Sequence, residues 1–324
     1  MSFKKLFTDE KGQSAVIAGV AIFMVIAVSA LALDIGLVHI QSSREQTAAD
    51  AAALAGGTLL PAQAGDIGAE ANVKNRAAEY AVKNGIPAED VLPEKIILGD
   101  IKNGMYTSVR VELKSEVGFG FAKVLGFEKA DVTKAAKAQL KPVSAMNDLV
   151  PLGVTEDAMQ TMYIGKTLTV KKGGGDGVNG FFGAIDLDGT QGGGAKDYTG
   201  WLSSGYDVLV EQGDILPVEN GVMSGPSWDG FCARVCKHTP KCTASSYDPQ
   251  CSSIVTLIVY KVHETQGNDN NIKSIEVMGF VPFILHEGTK QGEITAICIQ
   301  TVIQDGLALP GANDFGVYKI TLVE

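Results

Sequence analysis

The chain has 324 residues, enough for more than one hydrophobic core, and 45% of them are hydrophobic. Its 27 Lys+Arg against 37 Asp+Glu leave a formal net charge of −10, which excludes nucleic-acid or anionic-lipid binding through a broad basic surface. The 38 glycines crowd the second half and favour turn-rich β structure there.

Ser14 to Leu33 is a run of twenty residues without a charge, about the length that crosses a ~30 Å hydrocarbon core as a helix. Lys4, Lys5 and Lys11 precede it, and beyond Asp34 the only basic residue before Lys74 is Arg44. By the positive-inside rule this asymmetry predicts a cytoplasmic tail over 1–13, a transmembrane helix over 14–34, and everything later outside a cell membrane that the chain crosses once. A cleaved secretory signal would have a shorter apolar region, and a buried core helix would have a polar face. Helix is expected to continue to Ala55, because Gly36–Leu54 holds no proline and alanine dominates 48–55; Gly56-Gly57 and Pro61 then supply the stop. Ala48, Ala51, Ala52 and Ala55 recur at helical spacing with Leu54. That stripe packs either on the chain's own globular part or on another helix, self-association included.

This N-terminal stretch resembles the Tad (Flp, tight-adherence) pilus-assembly proteins of the TadE/TadG type. The residues that carry the likeness are Gly12, the Asp34-x-Gly36 pair closing the apolar span, and the run from Gln46 through Ala48-Ala49-Asp50-Ala51-Ala52-Ala53-Leu54-Ala55-Gly56. PLGV at 151–154, GFFGAIDLDG at 180–189 and MGFVPFIL at 278–285 are similar to longer TadG-like proteins. Prepilin-type substrates place Glu five residues after the cleavage glycine, where this chain has Ile17. The Asp-x-Ser-x-Ser metal motif of some TadG-like proteins does not occur. The resemblance implies a membrane-anchored, extracytoplasmic component of a pilus assembly or adhesion apparatus that works by protein–protein contact. Its partners would be the lipid bilayer through 14–34 and other pilus-assembly or pilin-like proteins, with Asp34, Gln46, Asp50 and Leu54 as helix interaction candidates. A membrane-tethered envelope hydrolase and a processed pilin-like filament subunit are the competing readings.

Further along, 66–84 reads as an amphipathic helix and Lys95–Ile101 with Met105–Glu112 as a hairpin turning at Asn103-Gly104. Phe119–Leu125 reads as a short helix and Asp131–Leu140 as a third strand or a small-residue segment. A boundary is expected near Lys141–Pro151. Beyond it, Thr167–Val170, Phe181–Leu187, Tyr206–Val210, Ile254–Val262, Ile272–Leu285, Glu293–Ile303 and Val317–Val323 read as strands of a sandwich or barrel with one mostly buried face. The fold class expected is therefore α+β: a long N-terminal transmembrane helix continuing outside the membrane, a small pilin-like α+β region over 35–141, and a Gly-rich antiparallel β domain over 151–324.

Catalytic motifs fail on context. Gly165-Lys166-Thr167 ends like a phosphate loop but lacks the upstream glycine, and the G-x-G-x-x-G at 175–180 precedes a strand. No H-E-x-x-H or G-x-S-x-G occurs, and His39, His238, His263 and His286 form no ligand pattern. Asp176, Asp186 and Asp188, with Asp197, are either oxygen ligands for calcium at a spacing unlike an EF-hand or acidic turn residues. Neither a cofactor nor a catalytic residue is expected. Cys232, Cys236, Cys242 and Cys251 lie in the Cys-rich loop 231–252, with Cys298 apart. They make two disulfides of undetermined pairing or, with His238, a zinc site whose spacing lacks the usual doubled pair.

Overall fold

The computed structural model describes residues 10–173, 181–189, 194–236, 242–243, 247–248, 251–266, 271–303 and 306–323. The chain divides into two units, Met1–Gln139 with Thr321–Glu324, and Leu140–Ile320.

The first unit is built on α1 (Glu10–Gly57), 48 residues and about 72 Å long. Its apolar half is bare: Phe23 is 71% and Val28 67% exposed, the reverse of a core helix. Among the described residues it is the one helix long and apolar enough to cross a membrane, which fits a single-pass membrane protein. The C-terminal half is docked. Ala48, Ala49, Ala52 and Ala53 are fully buried where α1 meets α2 (Ile67–Lys83), which buries Val73, Ala77 and Ala81 in return. Small side chains let the two backbones approach closely. A Cβ on Gly56 would stand 3.2 Å from the Ala77 Cβ and 3.4 Å from the Val73 carbonyl. The start of α2 is set by Asp66, whose side chain accepts from the Gly68 and Ala69 N–H groups.

α1 also lies on a sheet of β1 (Ala62–Gln63), β2 (Ile96–Lys102), β3 (Met105–Gly118) and β4 (Lys129–Pro142), with β3 antiparallel to the other three. Asn103 and Gly104 both take left-handed φ, +51° and +77°, as a type I′ hairpin requires. On β3, buried Val109, Val111 and Leu113 alternate with Arg110, Glu112 and Lys114, so one face receives the helices. The helix expected at Phe119–Leu125 is only a 3-10 turn, Ala122–Leu125, stopped by Gly126 at φ +88°. The C-terminus returns to this unit, where the Val323 N–H donates to the Lys137 carbonyl.

In the second unit the strands are β5 (Ala145–Met146), β6 (Leu149–Thr155), β7 (Thr167–Lys171), β8 (Phe181–Ile185), β9 (Val210–Glu211), β10 (Ile215–Asn220), β11 (Ile254–Gln266), β12 (Asn271–Gly288), β13 (Ile294–Cys298), β14 (Thr301–Ile303) and the first four residues of β15 (Val317–Leu322). Strands β10, β8, β6, β11 and β12 pair in that order and β12 pairs back with β10, closing a five-stranded ring; β13 and then β7 extend from β12. Pairing is antiparallel except β6–β11 and β14–β15.

Both faces of this sheet are buried, not one. Val255, Leu257 and Val259 join the cluster that includes Tyr198 and Leu202 of α4 (Gly194–Ser204) and Phe231 of α5 (Ser224–Arg234). Ile258 and Tyr260 point the other way, among Ile185, Ile275 and Phe280. Strands covered on both sides read as continuous apolar runs, which is why IVTLIVY and VMGFVPFIL lack alternation. The strand expected at Tyr206–Val210 reduces to one bridge, Tyr206 with Leu149, before β9. Glu293–Ile303 breaks into β13 and β14, because Ile299 N–H turns to the Pro282 carbonyl and Thr301 N–H to Gly316. α4, α5 and the single turn α3 (Glu156–Met159) were not legible in the sequence.

Candidate functional site at the base of the outer helix

Asp34 is the first charge after the apolar run, and the residue is only 2% exposed. Its Oδ1 accepts from Gly120 N–H at 2.8 Å, and its Oδ2 from Phe121 at 2.9 Å and Ala122 at 2.7 Å. Three successive backbone donors on one carboxylate make a charge-assisted clamp. It fixes the loop between β3 and β4 to the helix at this level. The loop is closed on itself by Phe119 N–H donating to the Glu128 carbonyl at 2.9 Å.

Two turns further out, Gln41 Nε2 donates to Ser115 Oγ at 3.1 Å. Gln46 Nε2 reaches Asp50 Oδ1 at 2.8 Å and the Ala135 carbonyl of β4 at 3.3 Å. Asp34, Gln46 and Asp50 therefore lie on surfaces that meet the chain's own sheet or each other, and Leu54 is 37% exposed. Of the alanine stripe, Ala48, Ala52 and Ala55 are buried within the unit and Ala51 is half-buried.

Sequence reasoning missed Glu45. It is fully buried, and neither carboxylate oxygen has a hydrogen-bond partner among the described residues. The signal was available: Glu45 precedes Ala48 and Ala49 by three and four residues and so shares their face.

Beside this face, α1 and the loop before β2 border a groove of about 760 Å³ that also runs along β3. Leu37, Ile40 and Leu92 give it an apolar floor, and Arg44, Glu89 and Lys95 give it charges of both signs. Such a surface suits a protein segment better than a small ligand.

The remaining candidates lie in the second unit. Cys232 pairs with Cys236 and Cys242 with Cys251, which leaves no four-thiolate set for zinc; His238 lies outside the described residues. Cys298 is an unbridged buried thiol on β13, pushed up to about 11 by burial. Asp176 and the 175–180 glycine motif also lie outside the described residues. Asp186 is buried in a turn where its Oδ1 accepts from Gly189 N–H, and Asp188 is exposed. Burial, and then the charges of Asp186 and Asp188, push the Glu219 carboxyl up. Among the described residues, no three His, Cys, Asp or Glu side chains gather as metal ligands. Lys171 on β7 was also missed: its amine is buried, donates to the Val222 and Lys172 carbonyls, and is lowered by burial to about 8.

Residues 12–64 match the family model Tad, described as "Putative Flp pilus-assembly TadE/G-like". This segment is TadE/G-like. It holds the apolar span, Asp34, Glu45, Gln46, Asp50 and the buried alanines, and it ends just past β1. A Tad-like segment supports a part in Flp/Tad pilus assembly. No curated protein and no solved structure matches the chain.

Proposed function

We propose that the chain is a single-pass membrane-anchored component of a Tad/Flp-type pilus apparatus, with residues 1–13 in the cytoplasm and both units outside, acting by protein–protein contact. The observation that carries this reading is one continuous helix. Its exposed, charge-free half lies inside the Tad-like segment, and its other half is docked on a folded unit. Three lysines before the span and two disulfides beyond it support the orientation. The groove beside Leu37 and Ile40 is the surface offered to a partner.

The test is labelling with a membrane-impermeant maleimide in spheroplasts. An E79C variant is expected to react at once and an S2C variant only after permeabilisation; the opposite order overturns the orientation. N-terminal sequencing of the membrane-purified protein discriminates further. A start near Met1 supports the anchored component, a start at Gln13 supports a processed filament subunit, and a start beyond Ala32 a secreted protein. A photo-crosslinker at Ile40 is expected to capture another pilus-apparatus protein, and adducts to lipid alone would refute the contact.

A further inference from the structure

The Asp34 clamp also fixes the height of the loop it holds. Asp34 directly follows the charge-free run that ends at Leu33, so residues 120–122 are held at the outer edge of the hydrocarbon if Ser14–Leu33 spans a bilayer. At that height the loop is apolar and uncovered. Phe121 is 52% exposed, Val124 88% and Phe127 62%, with Lys123 exposed among them. On the adjoining helix Ile35 and Leu37 are exposed too, so the loop's apolar surface continues that of the span.

We propose that residues 119–128 are a second membrane contact: an interfacial wedge whose Phe121, Val124 and Phe127 enter the headgroup–acyl boundary of the outer leaflet. This rests on the anchored reading above. Phenylalanine and aliphatic side chains bury into the headgroup–acyl boundary, and a lysine beside them keeps its ammonium in water while its stem lies along the apolar layer. A helix alone leaves the unit free to rotate about its axis. Two contacts, joined by the three Asp34 hydrogen bonds, fix which face of the β2–β3–β4 sheet and which side of the groove stand next to the membrane.

The test uses the full chain in liposomes made with lipids brominated near the top of the acyl chain. Tryptophan emission is compared with that in unbrominated vesicles. The native emission of Trp201 and Trp228 is subtracted with the parent protein. F121W and F127W are two independent reporters, F23W reports the span, and I101W reports the far hairpin, where Ile101 is 61% exposed. The expected result is loss of the added emission in F121W, F127W and F23W, with no loss in I101W. Quenching of F23W without quenching of either loop reporter overturns the wedge and leaves the anchor standing. Absence of quenching in F23W overturns the anchored reading itself. Equal quenching of I101W would show that the sheet lies flat on the bilayer and refute a wedge confined to the loop.

Discussion

Replacing Glu45 by Met should make the first unit more stable. Both Glu45 oxygens are buried without a hydrogen-bond partner among the described residues, so folding strips water from them and returns no hydrogen bond there. A buried unsatisfied polar group costs about 1–3 kcal/mol. Methionine has a similar reach, no strong polar atom and enough flexibility to fill the same space among the alanines. At about 4 °C per kcal/mol for a domain near 100 residues, the Tm of the first unit in detergent should rise by about 4–12 °C. E45Q keeps a polar head of the same size, so its Tm should fall below that of E45M. The assay is thermal unfolding followed by circular dichroism of the solubilised chain. A fall in Tm for E45M with E45Q unchanged would refute the reasoning, because it would mean that the side chain makes a stabilising contact.

Four other outcomes follow from the packing. G153A should destabilise the second unit by about 1–3 kcal/mol in urea unfolding, because its Cβ would stand 2.6 Å from Ile185 Cδ1 and 2.7 Å from the Tyr260 ring. Lys171 is held at about 8 against an ordinary 10.5, so the unfolded chain binds more protons between these values. Stability should therefore rise as pH climbs from about 8 to 10.5, and K171M should flatten that rise in a Tm–pH series. The native chain should alkylate slowly at Cys298, give one thiol when unfolded without reductant, and give five after reduction. D34N turns one acceptor oxygen into an N–H donor, so the Gly120, Phe121 and Ala122 amides should lose their protection from hydrogen exchange while the β3–β4 ladder keeps its own.

The helical part of the fold was written in local terms and could be read. The alanine run, the Gly56-Gly57 stop, the amphipathic helix over 66–84 and the Asn103-Gly104 turn each rest on residues close in sequence. What could not be read depends on distant partners. Nothing near Asp34 in sequence announces that its acceptors serve amides 86 to 88 residues away. Likewise Val255–Val259 lose their alternation only because α4 and α5 cover one face and the closing of β12 on β10 covers the other. The two helices were missed because their glycines, serines and proline read as loop. They become helical where Tyr198, Leu202 and Phe231 bury against β6, β11 and β12, which shows tertiary packing overriding weak local propensity.

How the alanines are used narrows where a partner can bind. A small-residue face suits close helix–helix approach, and here that approach is made to α2, with Gly56 leaving room that an added Cβ, at 3.2 Å from the Ala77 Cβ, would crowd. Opening that face to a second copy would expose Ala48, Ala49, Ala52 and Ala53, lose the Gln46 bond to β4 and bring Glu45 to water. The surfaces left for an interacting protein on α1 are thus its outward side, with Leu37, Ile40 and Leu54, and the groove that begins one turn beyond Asp34. A protein that binds α1 is therefore best sought on these surfaces, where a change in the Asp34 clamp would alter what it meets.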